Sequence, residues 1–168
     1  MPTAANTNVF TGADGAIMFV NDGDTPEGAA AKKAIDTGDL TQVGRVTGIT
    51  VEISSEIRPF HEIGQRYATQ LRPGNVEVRG TIGRAYINGA MLTLLLGEAA
   101  GSRPAQSWTQ PTFSMTLVAS NSAVPGVTST LTLHDVKIDS WNFHMPEDDF
   151  LLESVGFRAL FVTVGDEG

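Results

Sequence analysis

The sequence predicts a mainly β fold: an antiparallel β-sandwich or barrel with one flanking α-helix and a long projecting hairpin loop. Apolar and polar residues alternate in several stretches, one stretch is rich in helix-forming residues, and turn-rich segments separate them. Alternation with a period of two is typical of a strand with one buried and one solvent-exposed face. Several such strands and one helix indicate a sandwich or barrel covered by a helix.

The length of 168 residues predicts a single domain over residues 1–168. A hydrophobic content of 41% against 18% charged residues is enough for a packed core. Within this domain we interpret residues 22–40 as an acidic insertion or loop. A short helix over residues 26–35 fits there, because Thr25 can cap it and Pro26 suits its first turn.

Composition excludes several classes of protein. With 19 Asp and Glu against 11 Lys and Arg, the net charge of -8 disfavours binding to phosphate backbones or anionic membranes. The chain has no cysteine, so disulfides and thiolate sites are excluded. Residues 1–10 lack a basic residue and an apolar run, and the longest apolar stretch, residues 90–96, is far below the ~20 residues of a membrane helix. We therefore expect a soluble protein without a secretory signal.

Two stretches in the first half, residues 43–57 and 76–86, alternate apolar and polar residues. Each therefore predicts a strand with one packed and one wet face, and the two are expected to pair antiparallel. The connection between them, residues 58–75, contains two prolines and two glycines, Pro59, Gly64, Pro73 and Gly74. It is too long for a tight hairpin, so we expect a long projecting loop.

The second half predicts one helix and four strands. The helix contains the run of residues 90–96, with Asn88 placed to cap its start, and Gly97 or Gly101 should end it. The strands cover residues 112–119, 128–139, 140–145 and 152–164. The apolar positions change from odd to even near His134 and Asp135, which predicts a β-bulge there.

No catalytic motif is complete in this sequence. The string His61-Glu62-Ile63-Gly64-Gln65 resembles the start of a zinc-protease helix, but Gln65 stands where the second histidine is needed. No phosphate-binding loop and no nucleophile elbow is present. We therefore expect no catalytic residue, no metal site and no cofactor, and hence no enzyme.

Arginines are concentrated in the predicted hairpin and its loop, which contain six of the eight. Glutamates nearly balance them there, so we favour ion pairs between subunits over nucleic-acid binding. Exposed Phe60 and Tyr67 in the same segment are typical of protein interfaces. The six arginines are Arg45, Arg58, Arg66, Arg72, Arg79 and Arg84.

The acidic run 147–149 is either an exposed turn or a partner for an arginine of a neighbouring subunit.

Residues 129–140, STLTLHDVKIDS, and residues 153–157, ESVGF, resemble the tail tube proteins of phages and prophage-derived contractile tails, which are related in fold to type VI secretion tube proteins. The order of elements is similar as well: a strand, a long loop, a Gly-rich strand that ends in the aromatic Tyr86, and a Leu-rich helix. The resemblance covers roughly residues 43–164. The segment 22–40 is not part of the family pattern.

The resemblance implies a homo-oligomer: a hexameric ring in which each subunit contributes a hairpin to a continuous inner barrel, with rings stacked into the tail tube of a virion. It implies assembly in the host cytoplasm, contacts with tail sheath, baseplate and terminator proteins, and DNA that passes through the lumen without specific binding. The expected lumen-facing residues are Thr50, Glu52, Ser54, Glu56, Glu77, Arg79 and Thr81. The expected inter-subunit or inter-ring loop residues are Arg58, Phe60, His61, Glu62, Arg66, Tyr67 and Arg72.

Two other functions are compatible with the same patterns. A tail terminator or a tube-initiating baseplate ring could share the fold, and would form a single ring instead of a long tube. A monomeric β-sandwich that binds carbohydrate or protein would need an aromatic cluster facing its ligand, for which Trp108 and Trp141 are the only tryptophans.

Overall fold

The computed structural model describes residues 9–21, 24–120 and 126–167. Strands dominate, so the predicted mainly β, antiparallel class is confirmed. Short 3-10 turns occupy Gly12–Asp14 and Gly97–Ala100. In chain order, the strands and helices of the described part are β1 (Gly15–Val20), α1 (Pro26–Gly38), β2 (Val46–Phe60), β3 (Gln70–Ala85), α2 (Ala90–Leu96), β4 (Phe113–Ser120), β5 (Thr128–His144), β6 (Leu152–Ala159) and β7 (Phe161–Glu167).

All strand pairs are antiparallel, and the order across the sheet is β1-β4-β5-β6-β3-β2, with β7 also paired to β5. The long strand β5 joins the two parts of this sheet. Its first half pairs with β4 and β7, and its second half pairs with β6. The result is one curled sheet, a half-barrel.

The sheet turns its corner at a β-bulge in β5. Met115 of β4 pairs with Leu133, whereas Phe113 pairs with Val136, so β5 carries one extra residue. Asp135 lies in this bulge with a φ of 54°, and such bulges bend a strand and increase its twist. The predicted bulge is confirmed. The strands predicted over 128–139 and 140–145 are the single strand β5, since the backbone passes the bulge without breaking.

The predicted last strand, residues 152–164, is divided at Leu160 into β6 and β7. Both lie along the same side of β5, and the Leu160 backbone N–H donates to the His134 carbonyl oxygen at 3.0 Å. Leu160 therefore lies opposite the bulge. The two neighbouring strands must bend at the same level, which is why the last strand is interrupted there.

The core lies inside the curl and is closed by the two helices. Phe19 of β1 and Phe113 of β4 are in contact, with ring centroids 4.7 Å apart. Helix α1 packs against α2, β1 and β4, and α2 packs against β5. The largest fully buried side chains are Phe19, Phe113, Phe157, Leu40, Ile82, Met91, Leu94, Met115, Leu133, Ile138, Val136 and Val155.

The short helix expected over residues 26–35 is present and is longer, because α1 occupies Pro26–Gly38. The interpretation of residues 22–40 as a loop is therefore wrong for most of its length. As expected, the helix starts behind Thr25, whose Oγ1 accepts a hydrogen bond from the Gly28 N–H at 3.0 Å. Ala31, Ala34 and Ile35 are buried, the spacing of one helix face. This segment is thus part of the core. Residues 22 and 23 lie outside the described part.

Helix α2 contains the predicted run and ends before Gly97, the first of the two glycines expected to end it, and the Asn88 Oδ1 atom accepts a hydrogen bond from the Ala90 N–H at 3.1 Å. The described part of the chain therefore has two helices, whereas the expected fold class has one flanking helix. The longer, α1, has 13 residues. Among the described residues, no helix is long and apolar enough to cross a membrane.

One ion pair is buried in this fold. The Arg84 guanidinium on β3 donates to the Glu153 carboxylate on β6, and the side chains are 3% and 0% exposed. The other Glu153 oxygen accepts from Trp141 Nε1 of β5 at 2.9 Å, and Arg84 also reaches Asn88 before α2. Two buried charges are stable only when paired and hydrogen-bonded. This network therefore ties three strands and the start of a helix together.

We expect Glu153→Gln to lower the free energy of unfolding by about 3–5 kcal/mol, because it leaves the buried Arg84 charge uncompensated. Urea unfolding followed by circular dichroism measures the change. Asp139→Asn, which removes the exposed pair with Arg158, is the control and should cost less than about 1 kcal/mol. The double variant Arg84→Met, Glu153→Leu should recover much of the loss. Equal effects of the two single substitutions would contradict this assignment.

The β2–β3 hairpin is attached to the core at a glycine. Gly80 of β3 lies between Val51 of β2 and Phe157 of β6. A Cβ atom at this position would lie 2.1 Å from the Thr50 carbonyl oxygen and 2.5 Å from Phe157 Cζ. The fully buried Phe157 ring thus occupies the space that a side chain at position 80 would need.

We expect Gly80→Ala to lower the free energy of unfolding by about 1–3 kcal/mol, since the added methyl overpacks this contact. Gly48→Ala is the matched control on the other strand, because a Cβ atom there would have no neighbour within 4 Å; it should change stability by less than about 1 kcal/mol. Thermal or urea denaturation compares the two variants. An unchanged Gly80→Ala protein would show that the Phe157 ring moves aside freely.

Candidate functional site

The outer half of the β2–β3 hairpin extends past the rest of the molecule. The last residue of β3 that pairs with β6 on this side is Val78, opposite Ala159. Beyond it, residues 52–60 and 70–77 are all exposed. This part, which we call the ribbon, is a two-stranded hairpin. A two-stranded hairpin alone is marginally stable in water, so the ribbon has the features of an element that another surface covers.

One face of the ribbon is apolar. The register places Ile53 opposite Val78, Ser55 opposite Val76, Ile57 opposite Pro73 and Pro59 opposite Leu71. Opposed residues share a face, and this face continues the one that buries Val78 and Ile82 in the core. The exposed members of this apolar stripe are Ile53 at 53%, Ile57 at 52%, Leu71 at 68% and Val76 at 60%.

The opposite face of the hairpin is polar, and it brings the predicted lumen-facing residues together. Thr50 pairs with Thr81, Glu52 with Arg79 and Ser54 with Glu77. Glu56 follows on the same face, against Gly74. The period-two alternation thus placed all seven on one face, as expected. That this face lines a channel stays a prediction.

The charges of the polar face are partly paired within the chain. Arg79 Nη2 donates to Glu52 Oε1 at 3.1 Å, and Arg58 Nε donates to Glu56 Oε1 at 2.8 Å. The hydrogen bond and the negative charge of Glu52 raise the pKa of Arg79. Together with Arg84, these arginines have partners in their own chain. The buried Arg84 is therefore not available for an ion pair between subunits, because the register of β3 and β6 places Glu153 opposite it. For the exposed arginines of the hairpin, ion pairs between subunits stay a prediction.

The polar face continues onto β6 and β5, which the sequence analysis missed. Arg158 lies opposite Arg79, and Gly156 opposite Thr81. Arg158 Nε donates to Asp139 Oδ2 at 3.2 Å. The alternation of Ser154, Gly156 and Arg158 carries a signal for this face. On β5 the register shift between Ile138 and Ser140 interrupts the period, and it hides Asp139.

The predicted loop over residues 58–75 is shorter than expected, because the strands run on to Phe60 and from Gln70. The prolines Pro59 and Pro73 lie inside strands. Proline is tolerated where its missing N–H faces no neighbouring strand, and here β6 no longer flanks the ribbon. Gly74 lies at a register shift opposite residues 55–57. The projecting element is therefore mostly ribbon.

The loop at the end of the ribbon comprises residues 61–69, which we call the tip loop. It is closed by a hydrogen bond from the Thr69 N–H to the Phe60 carbonyl at 2.9 Å. Four predicted interface residues lie in it, and Arg58, Phe60 and Arg72 lie on the flanking strands. The four are His61, Glu62, Arg66 and Tyr67.

The structure offers no candidate for metal chemistry in its described part. The zinc-protease-like string at residues 61–65 lies in the tip loop and forms no helix. Over residues 9–21, 24–120 and 126–167, no group of three or more His, Asp and Glu side chains could hold a metal ion.

Solved structures share this fold, although no family model and no curated protein matches the sequence. The anti-feeding prophage cap, a tube-terminating cap, matches with a TM-score of 0.65 and 12% identity over 98% of this chain and 96% of that chain. A chain of the PVC sheath–tube complex, from an extracellular contractile injection system, matches with a TM-score of 0.64 and 11% identity over 95% and 93%. The SPP1 tail tube matches with a TM-score of 0.56 and 13% identity over 95% of this chain and 80% of that chain.

These matches span nearly the whole of the chain. Their sequence identities are low, so the similarity lies in the fold. They confirm the fold that the resemblance in residues 129–140 and 153–157 implied. The chain therefore has the fold of tube and tube-terminating proteins of contractile injection systems and tails.

Proposed function

We propose that this chain is a structural virion protein whose copies form rings, hexameric as the resemblance implies, that stack into a tail tube for DNA ejection. The single observation that supports this most is the exposed apolar stripe of the ribbon. Soluble monomers rarely expose contiguous apolar surface of this kind. The stripe starts in the chain's own core and ends in solvent, so a second surface is needed to cover it.

Copies of the same ribbon can cover that stripe. Strand β2 is one edge of the sheet, and along its 15 residues a long row of backbone groups has no neighbouring strand in the described part of the chain. Closure into a shared barrel pairs such edges and removes the risk of uncontrolled strand pairing. The apolar stripe then faces the neighbouring subunits and the polar face is turned to the bore.

The charge of the polar face suits a conduit for DNA. Glu52 and Asp139 hold Arg79 and Arg158 in ion pairs, which limits the attraction of these arginines for phosphate. Glu77 adds a further negative charge. Repulsion of the phosphate backbone extends over about one Debye length, roughly 8 Å at physiological salt, so DNA slides through without adhering.

A tube-terminating or baseplate ring is the second candidate, and the similarity to the anti-feeding prophage cap favours it. The two candidates differ in polymerisation. A tube protein grows into long filaments, whereas a terminator stops at one ring. Electron microscopy of the purified protein by negative stain separates them directly. In either role the partners are sheath, baseplate and further ring proteins of a contractile tail assembled in the host cytoplasm.

The variant Ile53→Asn, Ile57→Asn should remain folded but monomeric, because both side chains lie on the apolar stripe and neither is buried in the chain's own core. Ser54→Asn, on the opposite face of the same strand, is the matched control and should assemble like the wild type. Sedimentation velocity and negative-stain microscopy measure the outcome. Normal rings from the double variant would rule out the stripe as the subunit interface.

Tubes that carry Glu52→Lys and Glu56→Lys should retain DNA that wild-type tubes release, since the reversed charges attract phosphate in the bore. Retention should weaken steeply as salt is raised, because counterion release drives such binding. Co-sedimentation of tubes with short DNA at several salt concentrations measures it. Asp36→Lys, on an exposed position of α1, is the control for charge outside the bore. Unchanged DNA release from the lysine tubes would argue against the lumen assignment.

A further inference from the structure

The tip loop has a counterpart at the other end of the same sheet. Strand β3 runs from Gln70, beside the tip loop, to Ala85, which pairs with Leu152. The connection between β5 and β6, residues 145–151, lies at this end of the sheet, directly before Leu152. We call it the acidic turn. With 16 residues in β3 and about 3.3 Å per residue, the two ends lie roughly 50 Å apart.

We propose that the tip loop of one copy docks onto the acidic turn of a second copy. This proposal rests on the proposed function, and it assigns the acidic turn as the surface that receives the inter-ring loop. It is a heterologous contact, because the two surfaces differ. Since they lie at opposite ends of one sheet, each added copy presents a free surface for the next, and such a contact repeats along an axis without closing.

Both surfaces expose apolar side chains to an extent that is unusual for a monomer. In the tip loop, Ile63 is fully exposed at 106% and Tyr67 is 83% exposed. At the acidic turn, Met145 is 68% and Phe150 is 79% exposed, and nearby Ile87 is 55% exposed. Aromatic residues and methionine are enriched at protein interfaces, so both ends carry the side chains of a contact surface.

The charges of the two surfaces are complementary. The tip loop carries Arg66 and Glu62, and the adjoining end of β3 adds Arg72, so the tip loop with this end of β3 has one more positive than negative charge. Arg58 is already paired with Glu56, but within the described residues Arg66 and Arg72 have no ion-pair partner. The acidic turn carries three consecutive carboxylates at residues 147–149, and in the same part of the chain none of them forms an ion pair. Arginine forms strong paired hydrogen bonds with carboxylates, and opposite potentials fix the register of an interface.

Both surfaces are also held in shape by the chain itself. At the acidic turn, the Tyr86 N–H donates to the Leu151 carbonyl at 2.9 Å, and Asp149 Oδ1 accepts from the Phe150 N–H at 2.7 Å. In the tip loop, the Gln65 N–H donates to the Glu62 carbonyl at 3.1 Å. Preorganised surfaces lose less conformational entropy on docking.

Charge reversal tests the contact. The tip variant carries Arg66→Glu and Arg72→Glu, and the turn variant carries Glu147→Arg and Asp148→Arg; Asp149 is kept because it supports the turn. Each variant alone should form rings, while the mean number of stacked rings falls about tenfold or more, since like charges now face each other. A mixture of the two variants should stack again, in alternation, and a chain with all four substitutions should stack like the wild type.

Ring formation and circular dichroism show that each variant is folded, and microscopy counts stacked rings. Restored stacking in the mixture supports the contact. Normal stacks from either variant alone, or no stacks from the mixture, would overturn it. A competing docking site for the tip loop is the uncharged groove of about 780 Å³ between β1 and the start of β2. Docking there predicts normal stacks from the turn variant alone. If the wild-type chain never forms rings, the proposed function is contradicted. This result differs from a failure of the docking contact, in which rings form but the variants stack otherwise than expected.

Discussion

The β2–β3 hairpin is longer than the core that supports it, and the proposed assembly depends on this mismatch. Its inner half packs through Val78 and Ile82, whereas residues 52–60 and 70–77 are exposed. The apolar alternation nevertheless continues past the point where β6 ends. An amphipathic ribbon that keeps its pattern beyond its own core has a face with an unfavourable contact with water. Burial against another copy removes that cost.

The faces of the ribbon in turn depend on strand register. Side chains alternate with a period of two, so a slip of one residue would exchange the apolar stripe and the polar face. Two features of the interior oppose such a slip. Arg84 pairs with Glu153 directly across β3 and β6, and Gly80 alone provides the space for the Phe157 ring. A buried ion pair adds little net stability, but its misalignment is costly.

The structural comparisons and the exposed stripe support different parts of the interpretation. Identities of 11–13% with matched structures establish a shared fold, and folds host several functions. The features that favour assembly lie on this chain's own surface: the stripe, the partly neutralised polar face, and the complementary ends of the sheet. In the proposed assembly, lateral closure through the stripe and axial stacking through the ends use separate residues, so substitutions can disturb each contact independently.

The sequence by itself determined which residues of β2 and β3 share a face, the start of α2 and the position of the bulge at His134 and Asp135, because local periodicity and capping residues depend on near neighbours in the chain. Tertiary structure decided what depends on non-local neighbours. Pro59 and Pro73 suggested a loop, yet they lie in strands because no third strand flanks the ribbon. Capping residues predicted a short helix over residues 26–35, but only the tertiary structure showed that its buried alanines complete the core. Arg84 resembled an interface arginine until the register of β6 placed Glu153 opposite it.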